Sequence, residues 1–467
     1  MAQFGTSKRG KKTLIYNCYE FWQESTNQRG QITWRCCKHQ VFHCKARIKT
    51  DGDRIIGNPE HTHSGNAATS LARQAIGKMK DHMTETISTP SSSQGAVVVH
   101  LEGHVQMALP KKASLSRVLR RHRQIQSMAA NNGAALPSIP SDKTFRIPDM
   151  WQEFLLHDSG PGDDRLLIFG DRELLRALSR AHIWIADGTF KVVPCLFFQL
   201  YTIHFEFAGG INPAGVYCLL SSKSRAAYDQ LLGALKNLIP NAAPSRILLD
   251  FEASAVGAFR DAYPNAQISG CYFHLCQSIL RKVNEVGLKS DYESDHEIRG
   301  FIRCLAALSH VPVDDVVHAF EVLVQDMPSN ENVNDVVTYF ELTYIRGRRR
   351  PGRGENYSAA VFPLPLWNQF ESAGEGIART TNSVEGWHHS LQAIFMCQHP
   401  TMWTFLSGIH RECSMSKAAY LQATTGAVHV GKKTYRDLKA RVMRAVAAYG
   451  ESDIVTYLRA IAHLSHS

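Results

Sequence analysis

Carboxylates at the ends of two apolar runs could hold divalent cations between them. Asp187 ends the run in "WIADGTF" (184–190), and Asp250 ends "RILLD" (246–250). A lone Asp at the end of a strand is common, so only the combination is informative. If the two strands are neighbours, the carboxylates face one another at one sheet edge, where they repel unless a cation lies nearby. Oxygen-ligated cations in such a place can activate water and cleave a phosphodiester.

A third carboxylate from a helix would complete the site. Glu385, in the predicted helix "TNSVEGWHHSLQAIF" (381–395), is the candidate, and Asn382 one turn earlier could orient it. Glu252 competes with Asp250 for the second position, but it begins a predicted helix, where the helix dipole alone favours an acid. We therefore predict Asp187, Asp250 and Glu385 as catalytic residues that bind Mg²⁺ or Mn²⁺.

A second group of metal-ligand side chains lies near the N-terminus, where Trp-x-Cys is followed by a Cys and a His-x-His. Two Cys and two His are a standard structural zinc set, and His-x-His places both imidazoles on one side of an extended segment. The predicted zinc ligands are Cys36, Cys44, His61 and His63. Cys37 and His43 are the alternatives. The 11 cysteines of the chain are mostly dispersed, which argues against a disulfide framework and for a reducing compartment.

Several other side chains are candidates with an ordinary structural alternative. Cys271 and His274 form a Cys-x-x-His pair that could be buried filler or half of a second zinc site. His388 could join them or contact a scissile phosphate. Two basic runs could bind DNA phosphates, or could be solvated segments or a nuclear-import signal; their arginines are Arg117, Arg120, Arg121, Arg348, Arg349 and Arg350.

The composition is that of an ordinary soluble protein with room for two or three domains. The chain has 467 residues, 44% of them hydrophobic, and a formal net charge of +10, which favours polyanionic partners. Residues 1–66 alone carry 11 Lys or Arg against 5 Asp or Glu. No stretch of eighteen apolar residues predicts a membrane span.

The elements that must position these residues change in kind along the chain. Short β-like runs fill residues 1–66, helices interrupted by "PSSSQG" (90–95) follow, and from about 145 strands and helices alternate as β-β-β-α-β-α-β-α. That order predicts a mixed α/β sheet with helices on both faces. The predicted domains are a zinc module at 1–66, a helical connector at 67–145, an α/β domain at 146–420 with a helical insertion at about 290–375, and a helical tail at 421–467.

The N-terminal motifs resemble a FLYWCH-type zinc finger over residues 4–63. The later motifs span most of 165–395 and resemble a Mutator-like element (MULE) transposase domain. They are "ADGTF" (186–190), "FFQLYTIH" (197–204), "VYCLL" (216–220), "LLDFE" (248–252), "GCYFHLCQSI" (270–279) and "RTTNSVEGWHHSL" (379–391). The first resemblance implies a β-rich zinc module that binds DNA or protein.

The MULE resemblance implies a ribonuclease H-like fold with a helical insertion before the last acid. It matches the three acids of the family to Asp187, Asp250 and Glu385, and its Cys-x-x-His to Cys271 and His274. The expected function is a nuclear DNA transposase, acting on DNA and forming a homo-oligomer, with structural Zn²⁺ and catalytic Mg²⁺ or Mn²⁺. A domesticated, non-catalytic DNA-binding factor is the main alternative, and a zinc-dependent protein-interaction module is a third.

Overall fold

The chain divides into two units, which are described separately. One comprises residues 1–138 and 148–150, and the other residues 139–147 and 151–467. The structure is a computed structural model that describes residues 3–6, 12–207, 211–350, 357–376, 382–395, 397–425 and 433–464.

The first unit begins with an antiparallel meander of six short strands paired in chain order. They are β1 (Gln3–Thr6), β2 (Lys12–Tyr16), β3 (Tyr19–Thr26), β4 (Ile32–Cys36), β5 (Arg47–Asp51) and β6 (Arg54–Ile56). Phe21 and Trp34 are buried between strands, and the Trp34 indole donates to the Thr50 hydroxyl at 2.9 Å. Gly52 makes the β5–β6 turn with a φ of +56°, a conformation that glycine adopts without steric cost.

Four helices complete this unit: α1 (Ala67–Glu85), α2 (Pro90–Val98), α3 (Gly103–Ala108) and α4 (Lys112–Ala130). The prediction that residues 90–95 interrupt the helices was wrong, because α2 begins there. Thr89 accepts a hydrogen bond from the Ser92 N–H at 3.2 Å and caps the helix, and Pro90 occupies its first turn. A proline at this position starts a helix rather than breaking one.

Helix α1 packs directly on the strands of the meander. The Asn66 N–H and the Ser70 hydroxyl both donate to the Cys18 carbonyl, at 3.1 and 3.3 Å. The guanidinium of Arg73 forms an ion pair with the carboxylate of Glu20 on β3, and that carboxylate is only 10% exposed. The start of the helix is therefore bonded to the β2–β3 turn.

The second unit is built on a seven-stranded mixed sheet. Its strands are β7 (Leu155–Asp158), β8 (Leu167–Phe169), β9 (Ile183–Thr189), β10 (Gln199–Phe205), β11 (Ala214–Leu220), β12 (Arg246–Leu249) and β13 (Gln267–Gly270). Their order is β13-β12-β9-β10-β11-β8-β7. Strand β10 is antiparallel to both of its neighbours, β9 and β11, while β12 runs parallel to both β9 and β13.

Helices make up most of the rest of this unit. They are α5 (Arg172–Arg180), α6 (Arg225–Leu238), α7 (Ala253–Ala262), α8 (Tyr272–Glu285), α9 (Lys289–Ser294), α10 (His296–Ala307), α11 (Val316–Gln325), α12 (Glu331–Phe340), α13 (Leu364–Trp367), α14 (Phe370–Gly374), α15 (Asn382–Phe395), α16 (Met402–Thr424), α17 (Lys433–Ala447) and α18 (Ile454–Leu464). Leu305, Phe340, Val442 and Leu458 share one buried core. The C-terminal helices thus pack with those of residues 290–375. The predicted mixed α/β architecture with a β-rich N-terminal module is confirmed.

Candidate functional site

The four predicted zinc ligands converge in the first unit. One ligand atom from each of Cys36, Cys44, His61 and His63 lies within 4.8 Å of all the others. The Cys36 Sγ is 3.2 Å from the His63 Nε2, and the Cys44 Sγ is 3.4 Å from the His61 Nδ1. Zinc bonds of about 2.3 Å to sulfur and 2.0 Å to nitrogen at tetrahedral angles separate S from N by about 3.5 Å. The residues present therefore fit a tetrahedral zinc ion.

The strands of the meander place these ligands. Cys36 ends β4, Cys44 precedes β5, and the His-x-His segment follows β6. Tyr19 on β3 stacks on the His61 ring, with centroids 3.6 Å apart and planes 5° apart, and its hydroxyl donates to the His63 carbonyl at 3.1 Å. Tyr19 therefore holds the imidazole of His61 and the backbone of His63.

The structure separates the ligands from their neighbours in sequence. Cys37 is outside the four-residue group, and burial together with the charge of Glu20 raises its thiol pKa to about 12. Burial also opposes ionisation of Cys44, but the N–H groups of Thr62 and Ala46 outweigh it, so the Cys44 pKa is lowered. Of the two thiols in the cluster, that of Cys44 is thus easier to ionise than that of Cys37, whereas burial raises the pKa of Cys36. A bound cation would favour the thiolate form of both ligands.

The first two predicted acids belong to adjacent strands: Asp187 lies inside β9, two residues before its end, and Asp250 directly follows β12. Strands β9 and β12 are parallel and pair Ile185 with Leu248. Strand β12 ends at Leu249, and the same offset continued by two residues would place Asp250 opposite Asp187. Residues two apart on a strand share a face, so both acids are on the face that carries Ile185 and Leu248.

Helix α15 covers this face of the sheet. A buried apolar cluster joins the strands to the helix through Ile185, Leu248, Cys271 and Val384. One helical turn after Val384, the His388 Nδ1 lies 3.6 Å from the Asp187 Oδ2. The other carboxylate oxygen of Asp187 accepts the N–H of Gly188 at 2.7 Å. Asp187 is only 4% exposed, so it is a buried acid with a histidine beside it.

Asp250 is in an environment that penalises its charge. Burial and, secondly, the charge of Glu252 raise the pKa of Asp250 to about 6. Among the described residues, the Asp250 Oδ1 and the Glu252 Oε1 are buried without a hydrogen-bond partner. Unpaired buried carboxylate oxygens beside a second acid are donors of the kind that divalent cations bind. The residues present thus supply part of the ligand set of such an ion.

The third predicted acid cannot be located as a ligand. Asn382 and Glu385 lie on α15, but their side chains are outside the part that the structure describes. Within the described part, the zinc cluster is the only group of three or more His, Cys, Asp or Glu close enough to hold a metal. A cation between Asp187 and Asp250 therefore needs a further ligand, and Glu385 stands on the helix that faces both strands.

The accessory candidates surround the two acids. Cys271 is buried just before α8, in the apolar cluster beneath α15. Burial lowers the pKa of His274 to about 4, with a smaller contribution from Arg281. Burial and the neighbouring histidines, His204 first, lower the pKa of His388 to about 3. Neutral imidazoles therefore lie on the helix side of the sheet region that carries Asp187 and Asp250, called the acidic edge below.

The predicted DNA-contacting arginines are at the surface. Arg117, Arg120 and Arg121 are exposed on α4, while Leu115 and Leu119 of the same helix are buried. Arg348, Arg349 and Arg350 are also exposed, and residues 351–356, which complete the second basic run, are outside the described residues.

Sequence reasoning missed a buried polar network behind the acidic edge. Glu412 on α16 is 6% exposed and accepts hydrogen bonds from Tyr217, Trp387 and Ser416. The available signal was its position, because Glu412 falls on the buried stripe of α16 that also holds Phe405 and Ile409. An acid on an apolar helix stripe indicates a buried partner.

A Cys₂His₂ cluster on a β-rich module, in a chain that also contains a mixed sheet with helices, defines an α/β protein with an N-terminal zinc module. The model of the FLYWCH zinc finger domain matches residues 4–63, and that of the MULE transposase domain matches residues 183–278. The predicted resemblance to both families is thereby confirmed over these residues. A comparison with curated proteins gave no match.

The two matches and the cluster support structural zinc binding and a transposase-related, DNA-binding function. Among the described helices, none combines the length and apolar character needed to cross a bilayer.

Proposed function

We propose that this chain is a DNA transposase that cleaves and joins DNA strands at a divalent-metal site formed by Asp187, Asp250 and Glu385. The observation that carries the proposal is the parallel pairing of β9 with β12, whose register would bring Asp250 next to the buried Asp187. The unpaired Asp250 Oδ1 supports it further, because a buried carboxylate oxygen without a hydrogen bond is costly, and a cation would satisfy it.

The sheet order supports a ribonuclease H-like fold. Three antiparallel strands, β9 to β11, are extended on the β9 side by the parallel strands β12 and β13. The proposed acids Asp187 and Asp250 come from β9 and from the end of β12, the adjacent strands at which the antiparallel and parallel parts of the sheet meet. When bound, Mg²⁺ or Mn²⁺ would lower the pKa of an attacking water and stabilise the leaving oxygen of the phosphodiester.

The protein groups around the acids have separate tasks in this proposal. Asp187, Asp250 and Glu385 would hold the ions, and His388 would fix the orientation of the Asp187 carboxylate through the 3.6 Å contact. Because its pKa is lowered to about 3, His388 is uncharged at neutral pH and adds no positive charge beside the acids.

DNA binding is assigned to the first unit. Its zinc cluster gives the β module a rigid frame, and α4 carries exposed arginines on the side opposite Leu115 and Leu119. Helix α4 contains no Asp or Glu to neutralise them. DNA as the substrate implies a nuclear location, and synapsis of two DNA ends implies a homo-oligomer.

Replacing Arg117, Arg120 and Arg121 together with Ala is expected to weaken DNA binding and its salt dependence. Each lost phosphate contact reduces the slope of log K against log salt by about 0.9, so three contacts reduce it by up to about 2.7. The measurement is fluorescence anisotropy of the full chain on duplex DNA across a salt series.

A matched control is available on α5, where Arg172, Arg176 and Arg180 are exposed. Replacing these three changes the net charge by the same amount. Equal losses of slope for both triple variants would show that α4 makes no particular contact with DNA.

The proposed chemistry is tested with the full chain on DNA that carries the genomic sequence flanking its gene. Strand cleavage is expected with Mg²⁺ or Mn²⁺ and not with EDTA, leaving a 3′ hydroxyl.

The MULE match ends at residue 278, before Glu385, and this favours a non-catalytic DNA-binding factor as the second candidate. Tight DNA binding without cleavage under any of these conditions would establish that candidate instead.

A further inference from the structure

A buried carboxylate on α16 connects α15 to the sheet behind Asp187. One Glu412 oxygen accepts the Trp387 Nε1–H of α15 at 2.5 Å and the Ser416 hydroxyl at 2.7 Å. The other oxygen accepts the hydroxyl of Tyr217 on β11. Burial raises the pKa of Glu412, while the three donors oppose that shift. One side chain thus links two helices and a strand.

Trp387 connects Glu412 to residues next to Asp187. Its ring lies 4.8 Å from the ring of His204 on β10, at 76°. The His204 Nε2 is 3.1 Å from the Thr202 hydroxyl, and Thr202 is paired with Asp187 across β9 and β10. The residue after Trp387 is His388, which contacts the Asp187 carboxylate.

The hydrogen bond between Trp387 and Glu412 limits the rotation of α15 about its own axis. Side chains extend to about 6 Å from the axis, so a 10° rotation of α15 moves them by about 1 Å. Displacements of that size at a reacting centre can reduce a rate about 100-fold. Fixing the indole of Trp387 also fixes the angle at which the adjacent His388 meets Asp187.

We infer that Glu412 is a positioning residue for the metal site: it holds the rotation of α15 through Trp387, and with it the groups that face Asp187. The inference rests on the proposed function, because it assigns those groups to metal binding and strand cleavage. Glu412 itself is one helix away from the acids and acts only through the indole.

The test compares Glu412→Ala with Glu412→Gln in the full chain. The Gln carbonyl can still accept from Trp387 and Ser416, and its amide can donate to Tyr217, whereas Ala leaves the indole and the phenol unpaired. We expect Glu412→Ala to lower the cleavage rate at saturating DNA about 100-fold with unchanged DNA affinity, and Glu412→Gln to restore most of it.

A double-mutant cycle shows whether the effect passes through the indole. Trp387→Phe removes the donor, so we expect it to lower the rate as Glu412→Ala does, and the double variant to be no slower than either single one. Rate losses that multiply in the double variant, or a wild-type rate for Glu412→Ala, would overturn the inference. Trp387→Phe retains an apolar ring and decides the matter if Glu412→Ala does not fold.

A pair of Tyr→Phe variants separates positioning from general stability. Tyr217→Phe removes a donor to Glu412, whereas Tyr457→Phe removes a hydroxyl that donates to the His310 carbonyl in the helical core. Both lose one buried hydrogen bond, but only Tyr217→Phe is expected to slow cleavage. Equal slowing of cleavage by both variants would show that Glu412 has only a structural role.

The role of Glu412 can still be tested if the wild-type chain does not cleave DNA. That result would refute the proposed function by itself, and Mn²⁺ affinity, measured by paramagnetic relaxation, would then test the positioning. A tenfold or greater loss in Glu412→Ala with recovery in Glu412→Gln supports the inference. Unchanged Mn²⁺ affinity in both variants overturns it.

Discussion

Asp250→Asn is expected to abolish strand cleavage, with a loss of at least about 10³-fold in rate. An amide of the same shape carries no charge, so it cannot offset a divalent cation or hold it at the edge of the sheet. The measurement is the appearance of nicked DNA over time with Mn²⁺ at several concentrations, because a weakened site could otherwise be rescued by excess metal.

The same variant is expected to be more stable than the wild type when metal is absent. Burial raises the pKa of Asp250 in the folded chain to about 6 from an ordinary value of 3.8, so ionisation at neutral pH opposes folding. Shifts of this size correspond to about 3 kcal/mol as an upper limit. The stabilising effect of the protonated acid is complete below the unfolded pKa and is lost as the pH rises through about 6.

Chemical unfolding in EDTA at pH 4.5 and pH 7.5 measures this difference. The gap between Asp250→Asn and wild type should widen at the higher pH and should close when Mn²⁺ is added to the wild type. Asp261→Asn is the control, because Asp261 is an exposed acid paired with Arg225. Full cleavage by Asp250→Asn would refute the proposed metal site.

Cys36→Ser is expected to unfold the N-terminal meander. Among its described residues, seven buried ones form a hydrophobic core, and two of them, Cys36 and Cys44, are zinc ligands, so loss of the metal removes part of the core itself. Structural zinc contributes about 10–16 kcal/mol of apparent binding free energy in such modules, more than a sheet of this size supplies alone. Chelation of the wild type should have the same result.

Hydrogen exchange of the β4 and β5 amides, read together with the zinc content, checks this expectation. Cys37→Ser is the matched control, since its thiol is next in sequence but outside the ligand group. It should keep both the zinc and the exchange protection. A folded meander in zinc-free Cys36→Ser would show that the metal is not needed for the fold.

The zinc site was predictable because its information is local. Residue type and spacing identified all four members of the cluster, and the structure distinguishes Cys36 from its neighbour Cys37 by position on β4. Asp187 and Asp250 could be predicted as candidate acids for a similar reason, since each follows a short apolar run. Their adjacency followed only from an assumed strand order, which the pairing of β9 with β12 supplies.

The Glu412 network could not be predicted because its partners are distant in sequence. Tyr217 and Glu412 are 195 residues apart, and no local pattern specifies which strand a helical acid will meet. The helix that begins at Pro90 was missed for the opposite reason. Its serines and glycine are typical of loops, and the cap supplied by Thr89 outweighs them.

The hydrogen bonds from Asn66 and Ser70 to the Cys18 carbonyl, and the ion pair of Arg73 with Glu20, have an evolutionary consequence. A recombination event that cut the gene directly after the last zinc ligand would leave Glu20 partly buried without its cation and the β2–β3 turn without its donors. Exchange between genes should therefore keep the zinc-binding strands together with helix α1. The segment inherited as one piece is then longer than the metal-binding motif.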